Sequence, residues 1–102
     1  MASYYLYILY SASSDRYYVG YSADVASRLA QHNSSVRPTY TSKHRPWTLA
    51  KQLALGEDRG FAVRIERGVK RMKSRKFLEW IISDVQDVSE LAQSVGVPTC
   101  RD

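Results

Sequence analysis

Five residues near the front and middle of the chain carry groups suited to phosphate chemistry: Tyr7, Tyr18, Arg28, His32 and Glu66. Seven of the eight tyrosines fall within the first 21 residues, and two of them open short motifs, Tyr5-Leu6-Tyr7 and Tyr18-Val19-Gly20. Arg28 and His32 follow four residues apart, so on a helix they share one edge. Glu66 is the one carboxylate in a strongly basic stretch. Cleaving a phosphodiester needs an activated water and compensation of charge on the phosphate oxygens. Arginine supplies permanent, rigid donors matched to those oxygens. A carboxylate can hold a metal that stabilises the same charge.

The elements that must position these groups follow from local pattern. Residues 4–10 are aromatic and β-branched without Gly or Pro, which predicts a strand. Residues 17–21 predict a second, and the polar run between them predicts a hairpin. A pairing that opposes Tyr7 with Tyr18 also opposes Tyr10 with Asp15. It leaves a four-residue loop, Ser11 to Ser14. Ser22 or Asp24 can cap a helix with Val25, Leu29, Ala26 and Ala30 on its apolar stripe. Residues 34–46 read as a basic loop ending the arginine helix, with Lys43, His44 and Arg45 available to phosphate. From Trp47 to Leu55 the alternation puts Trp47, Leu49, Leu53 and Leu55 on one face of a third strand. Asp58 caps a long helix whose stripe is Ala62, Ile65, Val69 and Met72, with Glu66 beside it. Gly68 inside that helix costs up to roughly 1 kcal/mol against alanine, a local weakness. Ser74 starts another helix, and Trp47 and Trp80 read as core.

The fold expected is therefore α+β: a small three-stranded, mainly antiparallel sheet flanked by helices, in the order β-β-α-β-α-α. Its 102 residues suit one small domain, taken as residues 1–83, with 84–102 an acidic tail carrying a short docked helix. No apolar run of membrane-spanning length occurs, and the N-terminus lacks a secretion signal. A single cysteine, Cys100, excludes an internal disulfide and fits a reducing compartment, so a cytoplasmic protein is expected.

Charge is distributed unevenly around a net of +5. Residues 64–76 hold seven of the fifteen basic side chains, among them Arg67, Lys70, Arg71 and Lys73. Residues 79–102 are acidic, with five carboxylates against Arg101. A basic middle of this kind attracts polyanions. Plainer readings stand beside the chemical ones. Arg28 could pair with Asp24, and Glu66 could merely pair with Lys70, a contact of about 0.3–0.5 kcal/mol on a helix.

Taken in order, these segments resemble the GIY-YIG nuclease superfamily, closest to its small single-domain bacterial members. The likeness rests on Tyr5-Leu6-Tyr7, on Tyr18-Val19-Gly20, and on Arg28-Leu29-Ala30-Gln31-His32-Asn33. Thr41 to Trp47 and Arg64-Ile65-Glu66-Arg67-Gly68-Val69-Lys70 complete it. Tyr5 stands where the family name has Gly. The resemblance implies that Tyr7 is the general base or orients water, with Tyr18 beside it. It implies that Arg28 stabilises the transition state and that His32 and Lys70 contact phosphate or the tyrosines. It also implies that Glu66 holds one divalent metal ion, Mg²⁺ or Mn²⁺. The substrate implied is DNA, with RNA as the alternative, cut in a structure-selective or weakly selective way during repair or processing. A monomer or weak homodimer, with an accessory protein partner as an option, completes the expectation. Two other readings compete: a binding module with a weak or silent site on the same basic surface, and a protein-interaction domain whose basic helix meets an acidic partner.

Overall fold

The computed structural model describes residues 3–34 and 44–97. Strand β1 (Tyr4–Ser11) turns into β2 (Arg16–Ser22), followed by α1 (Val25–Ser34), β3 (Trp47–Gly56), α2 (Arg59–Met72), α3 (Arg75–Asp84) and α4 (Val88–Val95). The sheet is antiparallel, ordered β2-β1-β3, so β1 is hydrogen-bonded on both sides. The expected α+β architecture is present, extended by one helix to β-β-α-β-α-α-α.

Two hydrophobic clusters divide along the faces of β1. Leu6 and Ile8 join Leu53, Leu55, Ile65, Val69, Ile81 and Leu91 under α2, α3 and α4. Tyr7 and Leu9, one residue out of phase, join Val25 and Trp47 under α1. The period-2 alternation of a strand thus separates a structural face from the face that carries Tyr7.

The hairpin register differs from expectation. Tyr7 opposes Gly20, not Tyr18, and Ser11 opposes Arg16, so the four-residue loop is Ala12 to Asp15. The displacement is two residues, which preserves parity and keeps Tyr7 and Tyr18 on one face as diagonal neighbours. Asp15 closes the loop in the left-handed region, with φ of 55°. Its carboxylate accepts from Tyr10 Oη at 2.7 Å and from Arg75 at 2.6 Å.

Strand β3 also departs from the simple alternation. Leu9 pairs with Leu49 and Ile8 with Lys51, so Ala50 is an extra residue. Such a bulge exchanges the faces of the residues beyond it. Trp47 consequently packs with Tyr7 on the α1 side, while Leu53 and Leu55 pack on the other. Leu49, expected to be buried, is exposed. On α1, Val25 is buried and Leu29 half-buried, whereas Ala26 and Ala30 are exposed because the helix contacts the sheet along a narrow stripe. On α2, Met72 at the last turn is exposed rather than part of the core.

Caps follow the sequence. The Asp24 carboxylate accepts from Ser27 N at 3.1 Å, Asp58 from Gly60 N at 2.9 Å, Ser74 Oγ from Phe77 N at 3.1 Å. These satisfy donors that each helix start leaves open. Helix α2 runs unbroken through Gly68, where a built Cβ would lie 2.9 Å from Val95 Cβ of α4. Gly68 is therefore a packing requirement for docking α4, with Leu91 and Ala92 fully buried beneath it.

This contact gives a direct stability test. Gly68→Ala gains up to about 1 kcal/mol of helix propensity but forces an overpacking cost of about 1–3 kcal/mol. We expect net destabilisation in urea unfolding. In a Val95→Ala background the same substitution should be neutral or stabilising, and an identical cost in both backgrounds would remove the contact as the reason for glycine.

Candidate active site

Helix α1, strand β2 and helix α2 converge beside the α1-facing side of β1. A cavity of about 300 Å³ opens there, lined by Tyr7, Tyr18, Gly20, Arg28, Arg59 and Glu66. Four of the residues singled out in the sequence, Tyr7, Tyr18, Arg28 and Glu66, thus meet at one place. His32 touches the same group from α1. Its Nε2 lies 3.2 Å from Tyr7 Oη, and its ring meets Tyr18 edge-on with centroids 4.8 Å apart. The tyrosine rings are 6.4 Å apart.

The position of Tyr7 depends on Gly20. A Cβ built on Gly20 would come within 2.5 Å of Tyr7 Oη and 2.6 Å of its Cζ. The phenol lies directly over the glycine backbone, and any side chain there would push it away. This is the physical reason for glycine after Tyr18-Val19.

Burial governs the protonation of the Tyr7–His32 pair. Tyr7 is pushed up to about 12, first by burial, then by Tyr18 and Glu66, with Arg28 opposing. The expectation that a neighbouring cation would lower this phenol meets a larger effect, because desolvation penalises phenolate more than Arg28 favours it. His32 is shifted down, first by burial and then by Arg28. At neutral pH the pair is therefore phenol and neutral imidazole, and the phenol can donate to Nε2.

Arg28 is exposed on α1 and makes no ion pair with Asp24, whose carboxylate is occupied by Ser27. Glu66 is paired with Lys70 at 3.3 Å and remains mostly covered, with 17% of its side chain accessible. The Lys70 ammonium lies 5.6 Å from the centre of the Tyr18 ring. One cation thus bridges carboxylate and phenol. No cluster of three or more His, Cys, Asp or Glu side chains suited to a metal occurs among the described residues. The donor set is a single hard carboxylate on a polar cavity. That fits a hydrated Mg²⁺-like ion completed by water and substrate oxygens, and it does not fit a protein-enclosed site.

The remaining basic residues take other places. His44 Nδ1 lies 2.8 Å from Ser14 Oγ, and Arg45 Nε donates to the His32 carbonyl at 3.3 Å, steadying the end of α1. Neither lines the cavity. Arg67 and Arg71 are exposed on α2 away from it, and Lys73 lines a separate hollow. Lys43 lies outside the described residues.

Two contributors were not singled out in the sequence. Arg59 stands seven residues before Glu66, two helical turns along the same face, and that spacing was the available signal. Asn33 clamps the start of β3, its Oδ1 accepting from Trp47 N at 2.7 Å and its Nδ2 donating to Trp47 O at 3.0 Å. Trp47 thereby packs behind Tyr18, ring centroids 6.2 Å apart.

A hairpin, an arginine helix and a glutamate helix meeting at two tyrosines define a GIY-YIG domain, and the family comparison agrees. The family model described as the GIY-YIG catalytic domain matches residues 3–78, so the chain belongs to that family, within the nuclease superfamily. Among curated proteins it is similar to UPF0213 protein lin0209 of Listeria innocua, 33% identical over 86 residues. That match covers 84% of this chain and 92% of the relative. A UPF0213 protein of Citrobacter koseri is 31% identical over 101 residues, covering 99% and 98%. UPF0213 protein lmo0166 of Listeria monocytogenes is 32% identical, covering 87% and 97%. No described helix is long and apolar enough to cross a membrane.

The protonation state is measurable by NMR of the His32 ring. Its midpoint should lie below the ordinary 6.5. Arg28→Ala, and Gly20→Ala by displacing the Tyr7 ring that covers it, should each raise it. Because the folded value is the lower one, the stabilising contribution is complete above about pH 6.5 and is lost as pH falls through the folded midpoint. A wild-type midpoint at or above 6.5 would contradict this arrangement.

Proposed function

We propose that the chain is a divalent-metal-dependent endonuclease that hydrolyses phosphodiester bonds in DNA. The observation that carries this reading is the Tyr7–His32 hydrogen bond of 3.2 Å opening on a cavity shared with Arg28 and Glu66. A binding module has no use for a buried phenol bonded to a neutral imidazole beside a carboxylate.

In this scheme a substrate phosphate enters between Arg28 and Glu66. Arg28 donates to the non-bridging oxygens as negative charge grows on them, and Arg59 adds a second positive charge at the same cavity. Tyr7 Oη accepts a proton from the attacking water while passing its own to His32 Nε2. The phenol is never required to exist as free phenolate, which its high pKa forbids near neutrality. Tyr18 packs edge-on against the imidazole and keeps its ring aimed at Tyr7. Glu66 would hold the metal, which supplies charge stabilisation at the phosphate and leaving oxygen when bound. Lys70 neutralises Glu66 otherwise, and is released towards phosphate when the carboxylate is engaged.

The same ion pair favours a second reading. With its single carboxylate already matched by Lys70, the cavity could serve nucleic-acid binding without cleavage. Cleavage assays on single-stranded, duplex, flapped and branched DNA, and on RNA, separate the two. The nuclease reading expects Mg²⁺- or Mn²⁺-dependent cutting that EDTA abolishes. Glu66→Ala, Tyr7→Phe and Arg28→Ala should each lower the rate by about 10²–10⁴. The acid limb of the pH profile should fall below pH 6.5, where His32 charges. Tight binding with no cutting under any of these conditions would establish the silent module.

A further inference from the structure

Behind β2, on the face opposite Tyr18, lies a second cavity of about 280 Å³. Its floor is apolar, built from Val19 of β2, Val69 of α2 and Leu78 of α3. Its rim is net basic, with Arg16, Lys73 and Arg75 against one carboxylate, Asp15. Arg75 is committed, to Asp15 at 2.6 Å and to Glu79 at 3.2 Å. The side chains of Arg16 and Lys73 have no ion-pair partner among the described residues.

The hollow is joined to the candidate active site through one side chain. Lys70 lines it, and the same ammonium sits 3.3 Å from Glu66. Helical spacing extends the link. Arg59, Glu66 and Lys70 fall within about 40° of one another around α2, at roughly 100° per residue, and Lys73 is the cap that ends it. Arg59 and Glu66 line the first cavity, Lys70 and Lys73 the second. Lys73 stands about 10 Å along the axis from Glu66 at ~1.5 Å per residue. That distance is about three stacked nucleotides at ~3.4 Å each.

An apolar floor beneath a cationic rim suits a ligand with a flat apolar body and an attached anion. A bare anion would leave the floor wet, and a neutral apolar ligand would leave two cations without partners. A nucleotide satisfies both, but in a duplex its base is paired and stacked inside the helix. Extracting it breaks pairing and stacking, a cost that is least where the base is already unpaired. We infer that this cavity receives an unpaired nucleotide within about three steps of the scissile phosphate, so that the enzyme selects DNA that is single-stranded beside the cut. This rests on the nuclease reading for the position of the cut, and on the cavity alone for the occupant.

The test is an amide NMR titration of the full chain in EDTA, which needs no cleavage. A short single-stranded oligothymidylate should shift Tyr17, Lys73, Ser74 and Leu78 together with Tyr18 and Arg28. A blunt duplex of matched charge should leave the first four unmoved. The double variant Arg16→Glu, Lys73→Glu should keep the folded spectrum and bind the oligothymidylate about tenfold more weakly, as loss of phosphate contacts requires. The inference is overturned if the oligothymidylate leaves those four amides in place, or if the duplex shifts them equally. It is overturned too if oligoglutamate shifts them as strongly, which would make the hollow a site for acidic protein. A chain that binds this way yet cuts no substrate would instead sink the nuclease reading and leave the occupant of the cavity established.

Discussion

The ring of Tyr7 lies across the backbone of Gly20, so closely that a single added carbon would meet its hydroxyl. Much of the molecule follows from keeping that contact. Strand β1 is central, and its bonding on both edges fixes the height and direction of Tyr7. Its two faces must then serve different ends. Leu6 and Ile8 anchor the strand in the large core, while Tyr7 and Leu9 face the small one under α1. Trp47 and Val25 complete that small core and leave the phenolic oxygen as the group that emerges at the cavity. The register of the hairpin is consequently a chemical constraint as well as a structural one.

The electrostatics of the cavity repeat the same economy. Burial raises Tyr7 and lowers His32, so both are neutral at pH 7. Transfer of the proton between them alone would create a buried phenolate and imidazolium, so in the proposed scheme it accompanies proton uptake from the attacking water. The charges that remain sit around the pair: Arg28 and Arg59 beside it, and Lys70 held by Glu66. This segregates permanent charge from titratable groups, an arrangement that suits the phosphate recognition and proton transfer proposed above. Helix α2 carries most of the first set, and its basic stripe continues past the site toward α3.

The sequence made the architecture legible because its strong signals were local. Tyrosine-rich strands, aspartate and serine caps and helical stripes are each written within a few residues. The convergence of Tyr7, Tyr18, Arg28 and Glu66 was legible through motif spacing. What escaped was set by contacts between distant segments. The hairpin register sets Gly20 opposite Tyr7, where a side chain would clash, a packing fact invisible in strand propensity. The bulge at Ala50 moved Trp47 to the other core, and alternation alone reads straight through a bulge. Gly68 looked like a weak point in α2 and is where α4 docks. Arg59 could have been found by counting two turns back from Glu66. Lys43 lies outside the described residues, and His44 and Arg45 turn inward to Ser14 and to the end of α1.

The central claim is that Tyr7, held neutral against His32, activates water and does not itself attack phosphorus. The stereochemical course of cleavage tests this most directly. A phosphorothioate linkage of defined chirality would be cut in isotopically labelled water and the configuration of the product determined. One in-line attack by water predicts inversion at phosphorus. Retention would mean two successive displacements through a tyrosyl–DNA ester, and would contradict the role assigned here to the Tyr7–His32 pair.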